Sequence, residues 1–321
     1  MQQVQAFPEA PAESASQTYV PYENLQPIDP SVDVRQLIEW IRANLDSTNW
    51  VDSLNALNAL RQLNKFSTQH MNEICGLVWP SLLKCMASVK TVLAKTSLLF
   101  MQELFHHSGA ALADPIILSF EPALAQKCHC SLNALKVEAQ KAYQLLIEKV
   151  VKDATIIAVA NTSQSKNPAV SELSFKALER LVSLVGPNVV QLQPQTFKEL
   201  LLVVMQGLDG KRAEVHKSSE NIVKTLYQNL GDANFSTLIN AMLTEAVLKP
   251  DDLNKLKKVF EVKEAKPKEP NLSDALKQAR LQKQLANDPA YSAWVAQQAM
   301  AGPGACQQIP QAYSQAPTYQ G

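Results

Sequence analysis

Cys128, His129 and Cys130 stand in a row in "QKCHCSL", and thiolates beside an imidazole are the ligand types of a zinc site. A C-x-C with one intervening histidine lacks the second spaced pair that tetrahedral zinc needs, and Cys75 and Cys85 belong to other segments, so no metal is expected. His106 and His107 follow "MQELF" at a helix end, where imidazoles meet terminal carbonyls, and capping is their expected role. The sequence contains no G-x-S-x-G, P-loop, H-E-x-x-H or G-x-G-x-x-G, and its five histidines are scattered. Carboxylates mostly stand three or four residues from Lys or Arg, as Glu138 does from Lys141, which is the pattern of solvated helix faces. The chain therefore reads as a non-enzyme with no cofactor. Recognition is the chemistry left, and Trp50 has the side chain for it. In "STNWVDSLNALNALRQL" (Ser47 to Leu63) it sits at the mouth of a helix, either packed on Trp40 or Leu45 as a staple or presented outward as an anchor.

Composition limits the elements that can carry such a residue. The chain has 321 residues, 46% of them hydrophobic, enough for one large or extended core, and nine glycines, too few for Gly-rich catalytic loops or many hairpins. Thirty basic residues balance 30 acidic ones, so no global field draws the chain to nucleic acid or to an anionic membrane. An acidic partner must be met by a local basic patch. The five cysteines form an odd set, and the first residues lack the basic start and apolar run of a signal peptide, which reads as a reducing compartment. Apolar runs such as "TIIAVA" and "LLLVVM" are far shorter than the roughly 20 residues a bilayer requires. Neither nucleic acid nor membrane is expected as a partner.

Three regions follow from composition. Residues 1–32 carry five prolines, several glutamines and four acids without one Lys or Arg, a mix that cannot order itself alone. Residues 33–262 form a helical body. Residues 263–321 begin with the linker-like end of "EVKEAKPKEP", continue as a basic, alanine-rich segment with Tyr291 and Trp294, and end in low complexity with Tyr313. Both extensions are expected to be flexible.

Within 33–262, apolar residues recur at helical spacing in paired segments. "DVRQLIEWIRANL" is followed by "WVDSLNALNALRQL", "HMNEICGLVWPSLLKCM" by "KTVLAKTSLLFMQELF", and "ADPIILSFEPALAQ" by "NALKVEAQKAYQLLIEKV". Three more pairs follow, ending with "FSTLINAMLTEAV" and "DDLNKLKKVFEV". Turn residues separate the segments at Ser108-Gly109, Asn167-Pro168, Gly186-Pro187, Asp209-Gly210, Gly231-Asp232 and Lys249-Pro250. Each pair spans about 35 to 45 residues, the period of HEAT and armadillo repeats, and one pair cannot bury its apolar face without neighbours. The expected fold is all-α, an α-solenoid of about six HEAT-like helix pairs.

The segments "NWVDSLNALNALRQL", "SVKTVLAKTSLLFMQELF", "NALKVEAQKAY", "LERLVSLVGP" and "GKRAEVHKSSENIVKTLYQNL", in this order over about 230 residues, resemble the TOG domains of microtubule regulators, and among them the crescerin group of ciliary TOG-array proteins. The resemblance implies a six-repeat HEAT module whose intra-repeat turns line one edge and bind tubulin. It implies binding roles for Trp50 in the first turn, Lys90 and Lys95 in the second, Lys136 in the third, and Lys211, Arg212 and Lys217 in the fifth. Physically, ammonium and guanidinium groups along an edge steer encounter with an acidic surface, and an exposed aromatic supplies a desolvated contact. The fourth turn departs from the family pattern with Ser171 and Glu172, and the fifth with His216 in place of the common arginine.

The expected function is therefore non-enzymatic binding of tubulin or microtubules, in the cytoplasm and cytoskeleton, at the axoneme of a cilium or flagellum. Two alternatives share the fold. One is a structural component of the axonemal microtubule wall, held to other axonemal proteins through both extensions. The other is a HEAT scaffold for a complex without tubulin.

Overall fold

A computed structural model describes residues 20–260 except residue 246. Residues 1–19 and 261–321, with the tail aromatics Tyr291, Trp294 and Tyr313, lie outside the described residues. The described residues hold eleven α-helices and no strand. They are α1 (Val34–Leu45), α2 (Trp50–Phe66), α3 (Met71–Ala87), α4 (Thr91–Ser108), α5 (Asp114–Lys127), α6 (Asn133–Lys149), α7 (Asp153–Ser163), α8 (Pro168–Val185), α9 (Pro194–Asp209), α10 (Ala213–Thr244) and α11 (Pro250–Phe260).

Local chemistry sets the starts and stops. Asp33 and Asn49 cap α1 and α2 by accepting from the N–H groups of Arg35 and Val51, and Asn167 caps α8 the same way ahead of Pro168. Gly186 closes α8 at φ 53°, a conformation glycine adopts without strain. The turn expected at Gly231-Asp232 is a kink within α10: Gly231 takes φ 72° and ψ 164°, and the helix resumes at once. With α10 divided there, the helices form the six expected pairs.

Odd-numbered helices α1, α3, α5, α7 and α9 pack side by side in one layer, even-numbered α2, α4, α6, α8 and α10 in another, and each odd helix packs on the even helix after it. Ile41, Leu57, Leu98, Phe120, Leu146, Leu178, Leu200 and Ile222 are fully buried in one continuous core. Polar side chains tie neighbours at about one repeat of separation. Arg61 meets Glu103, Gln102 meets Glu138, Thr162 meets Glu121, Thr196 meets Asp153 and Asn221 meets Glu179, at separations of 36 to 43 residues. The repeat period read in the sequence is thus also the period of the buried polar contacts.

Residues 20–32 are ordered by groups 40 residues away. Arg61 Nη1 donates to the Val20 carbonyl at 2.7 Å, Lys65 Nζ donates to the Tyr22 carbonyl at 2.7 Å, and Leu25 is buried. This part of the arm therefore lies along α2 and α4, which differs from the expectation of an arm without structure. Its order comes from Arg61 and Lys65, not from its own composition. His107, expected to cap α4, instead stacks on the Tyr22 ring at 5.7 Å and shares a hydrogen bond with its hydroxyl.

Candidate interaction edge

With two layers and short connections, every odd-to-even turn falls on one edge of the solenoid and every even-to-odd turn on the other. The first edge is built from residues 46–49, 88–90, 128–132, 164–167 and 210–212.

Trp50 is the first residue of α2. Its turn is stiffened by hydrogen bonds from Ser47 Oγ to Asp52, from the Asn49 N–H to Ser47, and from Ser53 Oγ to the carbonyls of Asn44 and Leu45. Leu45 is buried beneath the turn and Trp40 is half-buried, whereas Trp50 keeps 38% of its surface in solvent. In the second turn Lys90 is the residue capping α4, and its own N–H donates to Ser88 Oγ. Lys95 follows five residues later and is half-buried. Lys136 is half-buried four residues after Leu132, the residue capping α6. Lys211 and Arg212 are exposed at the start of α10, and Lys217 is exposed five residues past Arg212, in the register of Lys95.

Some cations of the chain are paired with acids, and several on this edge are not. Lys152 pairs with Asp114 at 3.2 Å and Lys255 with Asp209 at 2.7 Å. On the edge itself Lys84 pairs with Asp46 at 2.8 Å, and its hydrogen bond, with that of Ser81, holds the Asp46 carboxyl below the usual range. Lys90, Lys136, Lys211, Arg212 and Lys217 have no described acid within ion-pair distance. Such cations contribute little to folding and keep their charge for encounter.

The departures in the fourth and fifth turns have local causes. Ser171 is buried and donates to the Ser163 carbonyl at 2.7 Å, as Ser53 does at the same register in the first pair, so it fastens its turn. Lys166 stands exposed beside it. His216 leans on Glu220 of its own helix at 3.6 Å. Between these turns lies a groove of about 360 Å³, walled by Ser163, Ser165, Ser171 and Phe175 and flanked by Lys211 and Arg212.

Two edge residues escaped the sequence reading. Val89 is 94% exposed in the second turn and Leu132 is 53% exposed in the third. Leu132 occupies the N-cap of α6, where Ser, Asn or Asp would cap, and Val89 precedes the N-cap Lys90; an apolar residue at a helix entrance is the signal that could have found them. The Cys128-His129-Cys130 run lies in the third turn. Cys128 is buried and burial pushes its thiol up to about 12, while Cys130 donates weakly to the Leu132 carbonyl. Among the described residues no three His, Cys, Asp or Glu are grouped to hold a metal ion.

No protein-family model matches the chain, and no curated protein matches it. Solved structures similar to it include TOG domains. Mini spindles TOG3 of Drosophila melanogaster is 18% identical with a TM-score of 0.45, covering 69% of this chain and 92% of that one. The TOG domain of C. elegans Zyg9 is 13% identical with a TM-score of 0.47, covering 74% and 90%. A chain from the structural work on microtubule plus-end tracking by XMAP215, CLIP-170 and EB1 is 19% identical with a TM-score of 0.47, covering 74% and 94%. At these values the solenoid assignment stands on the helices and their packing.

Proposed function

We propose that this chain binds tubulin, as dimers or within the microtubule wall, through the intra-repeat edge, at the axoneme of a cilium or flagellum. The observation that carries the reading is the sharing of one edge by the exposed Trp50 and cations without described partners, Lys90, Lys211 and Arg212. The tubulin and axonemal identities rest on the resemblance of the turn segments to TOG domains.

The expected division of labour follows from position. Lys211, Arg212 and Lys217 sit together at the fifth pair, where they raise the local concentration of an acidic partner although the whole chain is neutral. Trp50, with Val89 and Leu132, offers apolar surface on the first three turns, where contact excludes water. The turns are short and hydrogen-bonded, so little backbone entropy is lost on binding. A pull-down of soluble tubulin beside co-sedimentation with stabilised microtubules tests the reading. Binding in either assay, weakened by charge removal at Lys211 and Arg212, supports it; absence of binding in both refutes it.

A further inference from the structure

The contact between the third and fourth pairs contains a carboxyl group with no cation. Glu121 of α5 is fully buried. Oε1 accepts from the Tyr143 hydroxyl of α6 at 2.8 Å, and Oε2 is bonded to the Thr162 hydroxyl of α7. Ser174 of α8 is buried and donates to the Val170 carbonyl of its own helix at 3.0 Å. Three helices from two pairs thus meet at one carboxyl. The titratable groups facing it are Tyr143 and Cys128, both neutral and both pushed up by burial and by Glu121 itself. No Lys, Arg or His among the described residues pairs with it. Arg61 and Glu103, between the first and second pairs, show the opposite arrangement, a part-buried carboxylate matched by a buried guanidinium.

We propose that Glu121 makes the contact between the third and fourth pairs a pH-sensitive joint, closed when its carboxyl is protonated and loosened when it ionises.

With the proton in place, the Oε2–Thr162 contact is kept with the carboxyl as donor in place of the hydroxyl, Oε1 keeps the Tyr143 hydroxyl, and the site is neutral. Loss of the proton leaves a charge among neutral hydroxyls in a dry interior, a cost relieved when the helices part and admit water. The next residue, Pro122, has no N–H for the Leu118 carbonyl, so α5 is weakened beside the charge. Burial pushes the Glu121 carboxyl up to about 7, so the exchange falls near neutral pH. A folded pKa above the ordinary 4.5 means the contribution is complete below pH 4.5 and is lost as pH rises to about 7. The joint separates the turns of Trp50, Val89 and Leu132 from those of Lys211 and Arg212, so its state sets the register between the two parts of the edge. That consequence rests on the edge being the binding surface; the joint does not.

The test is thermal unfolding of the full chain from pH 5 to 8, wild type against Glu121→Gln, with hydrogen exchange of α5 and α7 corrected for intrinsic chemistry. The wild-type Tm, relative to the variant, should fall by roughly 5 °C across that range. Tyr143→Phe removes a donor to the carboxylate and should move the midpoint up by about one pH unit, a shift that a purely structural role would not produce. Wild-type protection of α5 and α7 should drop above pH 7 while that of α2 and α4 holds. Parallel pH profiles for wild type and Glu121→Gln, or wild-type protection of α5 and α7 that stays constant from pH 6 to 8, would overturn the proposal.

Discussion

Arg61 and Glu103, 42 residues apart on neighbouring even-layer helices, form a two-pronged ion pair with contacts of 2.6 and 3.0 Å, and Arg61 is 1% exposed. Burial pushes the Glu103 carboxyl up and the guanidinium opposes that shift, so the charge is held in the interior by Arg61. Arg61→Ala should cost about 3 to 5 kcal/mol because it leaves that carboxylate without its partner. Replacing both residues by methionine should recover most of the loss. Denaturant unfolding of the single and double variants measures it, and full additivity of the two substitutions would contradict the pairing.

The same pair explains why the docked arm was not legible in the sequence. Residues 20–32 have the composition of a segment that cannot order itself, and the groups that order it, Arg61, Lys65 and His107, lie 40 to 85 residues away. No local pattern announces them. The helix pairs were legible because leucine spacing and turn residues are local, and Ser53 and Ser171 fasten their turns through carbonyls only eight or nine residues upstream. Exposure of Val89 and Leu132 was not, since an apolar residue at a helix entrance reads as core until the layers are placed.

Glycine is required at two positions for different reasons. A Cβ on Gly207 would lie 2.1 Å from Ser219 Oγ and 2.6 Å from Phe175 Cε1, inside the contact of α9 with its neighbours. Gly207→Ala should therefore destabilise by roughly 1 to 3 kcal/mol through overpacking. Gly231→Ala meets no atom within 4 Å but holds φ 72°, and should cost roughly 1 to 3 kcal/mol from backbone strain alone. Gly207→Ser, larger still, should be worse than Gly207→Ala, whereas Gly231→Asn should cost about as much as Gly231→Ala, because a ψ of 164° lies outside the left-handed helical region that asparagine tolerates; thermal unfolding separates the two causes.

Removing charge from the fifth turn should act on association. Lys211→Ala, Arg212→Ala and Lys217→Ala together should lower the tubulin on-rate several-fold at low salt and flatten its dependence on ionic strength, because exposed charges act over about one Debye length, roughly 8 to 10 Å. Melting should be unchanged, as none of the three pairs with a described acid. Stopped-flow association over a salt series checks it, and a salt dependence equal to wild type would remove these residues from the interface.

The most direct measurement is tubulin affinity and melting temperature, side by side, for Trp50→Ala. Trp50 is held at the start of α2 by a hydrogen-bonded turn with 38% of its surface in solvent, so truncation should leave the fold intact. The edge reading predicts a loss of about 2 kcal/mol or more in tubulin affinity, roughly thirtyfold, mostly in off-rate, with Tm within about 1 °C of wild type. Unchanged tubulin binding together with a Tm lowered by several degrees would contradict it and return Trp50 to the role of a staple between the first two helices.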